Sequence, residues 1–450
     1  MKTIYSGSPG RRNPLLKIYT LGLAFLCLAL WTVPAASGEE TSYTFDLSEI
    51  EKKPWHWGGY IEFKPVLFGL DRDAAFHKLR LYDDPQGDTL MEWNGRLQLE
   101  GSYETGMLRL YAKANTDLKE TYSGFTERSA FYEAYATIKP SSSLKIDLGK
   151  KTSKWGKGYA WNPVAFADRP KDPDEPEAGM EGYIAVSADY IKSFDGPLKT
   201  FSFTPLLLPV YNHVNEDFGN RDKVNFAGKF YFLLYDTDID LMFMTGGSRP
   251  DRYGIDFSRN ITTNFEIHGE WAYLRHTRKT VLTAAGAPQQ SESNARSWLV
   301  GIRHLTAFDL TTIIEYYHNG TGYNKDELTR YYDAVHNAYA TYITTGSAAP
   351  LAAARRLADT GYGRFSAGKD YVYVRLIQKE PFDILYFTPA LTAMINFHDK
   401  SASLTPEILY TGFTNWEIRL RTGFLMGSRG TEFGDKQNDC RVELRVGYYF

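Results

Sequence analysis

The chain has 450 residues, a formal net charge of −3 and an aromatic content of 15%. Its mean hydropathy of −0.39 excludes a helical transporter with many apolar spans, because such a chain is apolar on average. Without a net basic charge or a recognition motif, the sequence also argues against nucleic acid as a partner.

The N-terminus has the pattern of an export signal. Four basic residues precede an apolar run from Ile18 to Trp31, and the small residues Ala36-Ser37-Gly38 follow it. The run has about fourteen residues where a spanning helix needs about twenty, which favours a cleaved signal peptide over a membrane anchor. We therefore predict a signal peptide over residues 1–38, a periplasmic N-terminal lead over residues 39–56 and the folded domain over residues 57–450.

The sequence gives no indication of a cofactor or a metal. Cys27 lies in the predicted signal peptide, so Cys440 has no partner for a disulfide in the mature chain. No CxxC, CxxCH or HExxH pattern occurs, and these are the usual sequence patterns of structural zinc, covalent haem and zinc proteases. We expect neither a metal site nor a bound cofactor.

Segments with period-two alternation recur along the whole mature chain. The predicted strands are 57–68, 91–103, 106–116, 129–139, 143–151, 181–193, 199–211, 223–235, 238–247, 252–258, 262–276, 296–306, 310–319, 371–380, 384–397, 401–413, 416–426 and 440–450. They number about eighteen, an even number, and about ten residues is the length of one tilted strand across a membrane. Tight turns such as Thr414-Asn415 alternate with long connections, which disfavours a soluble sandwich with short turns at both ends.

The predicted fold is therefore an all-β transmembrane antiparallel barrel of about eighteen strands. Its last strand shows the two faces most clearly, because Val442, Leu444, Val446 and Tyr448 alternate with charged residues. An arginine on the lipid side at the bilayer centre costs roughly 2–4 kcal/mol, so the charged face must look into the lumen.

The connection over residues 152–180 is dense in glycine, proline, tryptophan and charge. Its candidate residues for a pore constriction or solute site are Lys154, Trp155, Lys157, Tyr159, Trp161, Arg169 and Lys171. If the connection folds inward it narrows the channel, its aromatic rings can stack on sugars, and its basic groups can bind carboxylates or phosphates. The alternative is a loop that packs on the barrel rim, with Trp155 and Tyr159 buried and its charges in solvent.

Charges of both signs fall on the lumen face and predict a hydrated wall with cross-strand ion pairs. The basic wall residues of the second half are Arg375, Arg419, Arg421, Arg441 and Arg445. They either favour anionic solutes or simply keep the wall wet. Glu266, His268 and Glu270 share one lumen face and can in principle hold a proton or a metal, although a solvated wall explains them equally.

The connection over residues 320–370 is too long for a plain loop. Helical spacing links Leu328, Tyr331, Val335, Ala338 and Tyr342. Pro350 then precedes the alanine-rich segment 351–358, as at a helix start. We predict a helical extracellular loop that lies over the pore mouth or packs outside it.

The C-terminus ends in Gly447-Tyr448-Tyr449-Phe450. It resembles the assembly signal of outer-membrane barrels, whose last residue is typically phenylalanine, and the resemblance implies insertion by the barrel-assembly machinery into membrane lipid. Beyond residue 38, the strand number and loop pattern are similar to porin-type and alginate-export-like eighteen-stranded barrels of Gram-negative outer membranes. That resemblance is architectural and carries over no binding residue.

The first hypothesis is an outer-membrane channel or exporter that passes small solutes or anionic glycans. The second is a barrel scaffold that sheathes a partner protein, such as a periplasmic or surface electron carrier, without a cofactor of its own. A barrel lipase or protease ranks third, and we expect no enzyme, because no nucleophile can be paired with a base.

Overall fold

The computed structural model describes residues 53–83 and 87–450. The predicted signal peptide, and all of the predicted N-terminal lead before residue 53, lie outside the described residues. No helix within the described part of the chain is long and apolar enough to cross a membrane.

Within these residues, eighteen antiparallel strands form one closed sheet, and the predicted fold class is confirmed. The strands are β1 (Trp55–Leu70), β2 (Thr89–Thr105), β3 (Leu108–Thr121), β4 (Gly124–Ser141), β5 (Leu144–Lys151), β6 (Tyr183–Ser193), β7 (Leu198–Val210), β8 (Lys223–Leu234), β9 (Thr237–Thr245), β10 (Arg252–Thr262), β11 (Phe265–Leu282), β12 (Pro288–Leu305), β13 (Leu310–His318), β14 (Asp370–Gln378), β15 (Phe387–Asn396), β16 (Ser401–Tyr410), β17 (Trp416–Met426) and β18 (Asn438–Tyr449). Three α-helices lie in the connections of the described residues: α1 (Ala75–Arg80), α2 (Lys325–Thr345) and α3 (Ala349–Leu357).

The two faces of the sheet differ as the alternation predicts. In β18, Val442 is 41% exposed and Leu444 is 40% exposed, whereas Glu443 between them is 4% exposed. Exposed apolar side chains recur on the outer face of the other strands. Such a surface is stable only in contact with hydrocarbon, so the barrel spans a membrane and its outer face binds lipid.

The predicted asymmetry between the two ends of the barrel is also present. At the end where β1 begins and β18 ends, the strands are joined by tight turns such as Tyr235-Asp236 and Thr263-Asn264. The opposite end carries the longest connections, over residues 152–182 and 319–369. We call this opposite end the long-loop end.

One stretch differs from the prediction. Residues 277–295 were expected to be a loop, but most of them extend β11 and β12 into a long hairpin whose pairing reaches Leu282 and Pro288. This extension has no apolar face for lipid. Its strands therefore lack the alternation by which the other strands are recognised, although their backbones pair in the same way.

The barrel closes where β1 pairs with β18, and Phe450 continues the pairing beyond the last strand. The amide of Phe450 donates to the carbonyl of Gly59 at 3.0 Å, and the amide of Gly59 donates back to the carbonyl of Phe450 at 3.0 Å. The phenyl ring lies 6.3 Å from the ring of Trp57. A side chain at Gly59 would meet this ring, because a Cβ there would lie 2.7 Å from it.

Deleting Phe450 is expected to reduce the amount of protein inserted in the outer membrane, because both hydrogen bonds and the ring contact at the closing seam are lost. The measurement is the level of heat-modifiable barrel in outer-membrane fractions. Phe450→Tyr keeps the aromatic ring and is the control that should insert normally. Normal insertion of the truncated chain would contradict the predicted assembly signal.

The helices confirm the predicted helical loop. A capping box between Asn324 and Glu327 begins α2, and the predicted spacing places Leu328, Tyr331 and Val335 in its buried face. This face packs with α1 and α3 in one apolar cluster. The cluster is tied to the barrel where Lys279 of β11 pairs with Glu327 at 2.9 Å.

Candidate functional site

The connection over residues 152–182, here called the inward loop, lies inside the barrel. Its backbone and side chains contact lumen-facing residues of β1, β9, β11, β13, β17 and β18. The loop therefore crosses the lumen instead of covering the rim. A barrel of this size leaves an aqueous channel unless a segment of chain narrows it.

Glu270 of β11 fixes the first part of the inward loop. Its carboxylate accepts the backbone N–H groups of Lys157 and Gly158, each at 2.6 Å, and that of Val164 at 3.2 Å. The side-chain amide of Asn162 donates to it at 2.9 Å. With 4% of its surface exposed, Glu270 is a structural acceptor, so its interpretation as a solvated wall group is wrong.

Glu315 of β13 is a second acceptor for the same loop. It accepts the backbone N–H of Ala160 at 2.9 Å and that of Tyr159. His268 lies on the neighbouring strand and its Nε2 is 2.9 Å from the same carboxylate. Glu270 and Glu315 thus hold the loop, and His268 contacts one of them. Of the three residues considered for a proton or metal role, Glu270 binds the loop directly, whereas Glu266 contacts Ser258 and His268.

The aromatic candidates of the inward loop are mostly buried. Trp155 is 3% exposed and packs in an apolar cluster with wall residues such as Leu208 and Met242. Trp161 is 6% exposed, stacks on Tyr317 at 5.0 Å and donates from Nε1 to the Ser366 hydroxyl at 2.9 Å. Neither tryptophan presents a free face on which a sugar ring can stack.

Three of the four basic candidates are engaged within the protein. Lys157 pairs with Asp240 at 3.0 Å, and Arg169 pairs with Asp217 and Glu181. The ammonium group of Lys171 donates to the carbonyl oxygens of Gly158 at 2.8 Å and Tyr159 at 3.1 Å. Lys154 is exposed and lines the cavity described below.

The second half of the inward loop carries a run of carboxylates over residues 172–177, here called the acidic tip. Glu175 pairs with Arg421 at 3.0 Å, with Lys64 at 3.9 Å and with Arg445. Burial raises the pKa of Glu175, but the charges of Lys64, Arg445 and Arg421 outweigh it and leave that pKa at about 2. The carboxylate is therefore charged at neutral pH.

The other wall arginines also have carboxylate partners. The neighbouring Asp174 pairs with Arg441 at 2.9 Å. On the wall itself, Arg375 pairs with Glu407 at 3.3 Å and Arg419 pairs with Glu417 at 3.2 Å. All five predicted wall arginines thus pair with acidic residues. The sequence indicated an excess of positive charge on this wall, whereas in the structure the positive and negative charges balance. The run of acids at residues 172–177 was the sequence signal for that balance.

A cavity of ≈ 1490 Å³, here called the vestibule, lies between the inward loop and the connections of the long-loop end. Nine lysine and arginine side chains line it, against five aspartate and glutamate side chains. Several come from segments without predicted site residues, among them Arg249, Arg252 and Arg364. Burial lowers the pKa of Arg249, and the charges of Arg169 and Arg364 lower it further against the opposing effect of Tyr183.

No family model matches the sequence, and no curated protein matches it. Among solved structures, OccK11 (OpdR) of Pseudomonas aeruginosa is similar with a TM-score of 0.50 at 10% identity, over 88% of this chain and 96% of that chain. OccK5 (OpdH) of the same organism gives 0.49 at 12% identity, over 88% and 98%. A triple mutant of the Rhodopseudomonas blastica porin gives 0.43 at 10%, over 88% and 100%.

At such identities the likeness concerns the fold alone. The closed eighteen-stranded sheet and its apolar outer face lead to the same result independently. The chain has the fold of porin-type outer-membrane β-barrels, with eighteen antiparallel strands in one closed sheet.

Proposed function

We propose that this protein is an outer-membrane channel for small solutes, with a preference for anions. The observation that carries the proposal is the excess of basic over acidic side chains in the vestibule. The inward loop forms one side of this cavity. A loop that crosses the lumen sets the narrowest part of the path, and charges at a narrow, hydrated site select ions more strongly than charges on a wide wall. Because the wall arginines are paired, the preference for anions arises in the vestibule.

The other hypotheses have less support. A sheath around an electron carrier needs an empty lumen, whereas the inward loop occupies part of this one. Stacking of glycans was expected from Trp155 and Trp161, and both are nearly buried. An enzyme would need a free acid or base, yet Glu270 and Glu315 accept backbone hydrogen bonds from the inward loop. Transport of small solutes remains the hypothesis that uses the observed geometry.

Conductance of the purified barrel in a planar bilayer tests the proposal. We expect stepwise, salt-dependent currents and a reversal potential in a KCl gradient that favours chloride. Replacing residues 172–178 by two glycines shortens the inward loop outside its buried anchors and should raise the single-channel conductance about twofold or more, because a wider constriction passes more ions.

Removing residues 284–286 at the tip of the β11–β12 hairpin is the control, since these residues do not line the vestibule. The hairpin variant should conduct as the unchanged protein does. Absence of current from both the unchanged and the loop-shortened barrel, with heat-modifiable migration intact, would contradict the channel.

A further inference from the structure

Two arginines of the vestibule lack acidic partners. Arg249 lies in the connection between β9 and β10, and Arg252 is the first residue of β10. Both are half-buried, and neither forms an ion pair within the residues that the structure describes. Asp251 lies between them in sequence but accepts a hydrogen bond from the hydroxyl of Thr245 at 2.8 Å. Half-buried guanidinium groups are normally paired, because desolvated charge is costly.

Further positive charge surrounds this pair. Arg169 and Arg249 both donate to the hydroxyl of Tyr183, each at 3.4 Å. Arg169 has its acidic partners, and Arg364 lines the same cavity. The guanidinium groups of Arg249 and Arg252 therefore face further positive charge from Arg169 and Arg364, and these like charges repel one another. An anion bound between Arg249 and Arg252 would reduce this repulsion.

The aromatic rings beneath the arginines hold part of this arrangement in place. The guanidinium carbon of Arg249 lies 3.8 Å from the centroid of the Phe218 ring, and that of Arg169 lies 4.5 Å from the Tyr183 ring. The two rings pack edge to face at 5.0 Å. Arg249 also donates from Nε to the Phe218 carbonyl and from Nη2 to the Tyr183 hydroxyl, and its Nη1 has no hydrogen-bond partner among the described residues. Because these contacts already fix the guanidinium group, little order is lost when an oxyanion binds to it.

We propose that Arg249 and Arg252 form a binding site for a doubly charged oxyanion, namely a phosphate or a phosphate monoester group on a soluble solute. This inference rests on the proposed channel function and names its solute class. Two unpaired guanidinium groups are neutralised by a charge of −2, whereas one carboxylate neutralises only one of them. The vestibule lies on the lumen side of the strands, so a dissolved solute reaches it directly.

Calorimetric titration of the purified full barrel in non-ionic detergent tests the site. At pH 7.5 and low salt, inorganic phosphate should bind at least about tenfold more tightly than acetate, because its dianion can engage both forks. The double variant Arg249→Gln with Arg252→Gln should weaken phosphate binding about tenfold or more. The matched control is Arg80→Gln with Arg221→Gln, which removes two positive charges that lie outside the vestibule and should leave phosphate binding unchanged.

Equal affinities for phosphate and acetate in the unchanged protein would overturn the proposal without any variant. An equal loss in the control double variant would overturn it too, since a diffuse positive field would then explain the binding. Lipopolysaccharide should not displace phosphate, and displacement would assign the site to a lipid headgroup instead of a soluble solute. If the barrel conducts ions but does not prefer phosphate over acetate, the proposed channel function stands and the proposed phosphate site is contradicted.

Discussion

Replacing Glu270 by alanine is expected to release the inward loop from the barrel wall. The substitution removes the shared acceptor of three backbone N–H groups and of the Asn162 amide. A buried donor left without an acceptor costs about 1–3 kcal/mol, so the loss of one acceptor that four donors share strongly destabilises the docked loop. The released loop should become sensitive to trypsin at Lys157 and Lys171, and single-channel currents should fluctuate between levels.

Glu266→Ala is the matched control for this change. Glu266 lies on the same lumen face of β11, but it accepts only a hydrogen bond from Ser258 at 3.2 Å and lies 3.6 Å from His268. Its loss should leave both protease resistance and current noise unchanged. If Glu270→Ala resisted trypsin as the unchanged barrel does, other contacts would suffice to hold the loop.

The strands could be predicted because lipid imposes a pattern on them. A strand between hydrocarbon and water must alternate apolar and polar residues. Most of the predicted strands carry this alternation, whereas the predicted strand 252–258 carries little of it. The hairpin extension over residues 277–295 has no lipid to face and was therefore expected to be a loop. The helical face of α2 was recognised since Leu328, Tyr331 and Val335 follow the period of a helix that packs on one side.

The contacts of the site could not be predicted in the same way. Glu270 and Gly158 are 112 positions apart, and Glu315 and Tyr159 are 156 apart. No local period relates such pairs, because the path of the loop through the lumen decides which carboxylate it meets. Likewise, Arg249 stands in a short polar connection that resembles any turn in sequence, and Arg252 begins the strand that follows. Only the closed barrel brings the two arginines to the vestibule.

Neutralising Asp174 and Glu175 together is expected to make the pore more selective for anions. These two carboxylates balance Arg421, Arg441 and Arg445, so Asp174→Asn with Glu175→Gln leaves the wall with excess positive charge. The ratio of anion to cation permeability, taken from the reversal potential in a KCl gradient, should rise about threefold or more at 0.1 M salt. The rise should shrink at 1 M salt, where charges are screened over about 3 Å.

The control removes two exposed carboxylates whose basic partners belong neither to the vestibule nor to the five wall arginines, Glu104→Gln with Glu216→Gln, and should leave the ratio unchanged. Acidification to pH 5 should not reproduce the effect through Glu175. Its folded-state pKa is depressed to about 2, so its charge and the ion pairs that depend on it are lost only as the pH falls through about 2. An unchanged permeability ratio in Asp174→Asn with Glu175→Gln would mean that ions pass the inward loop on the side away from β17 and β18, and the wall arginines would then have a structural role alone.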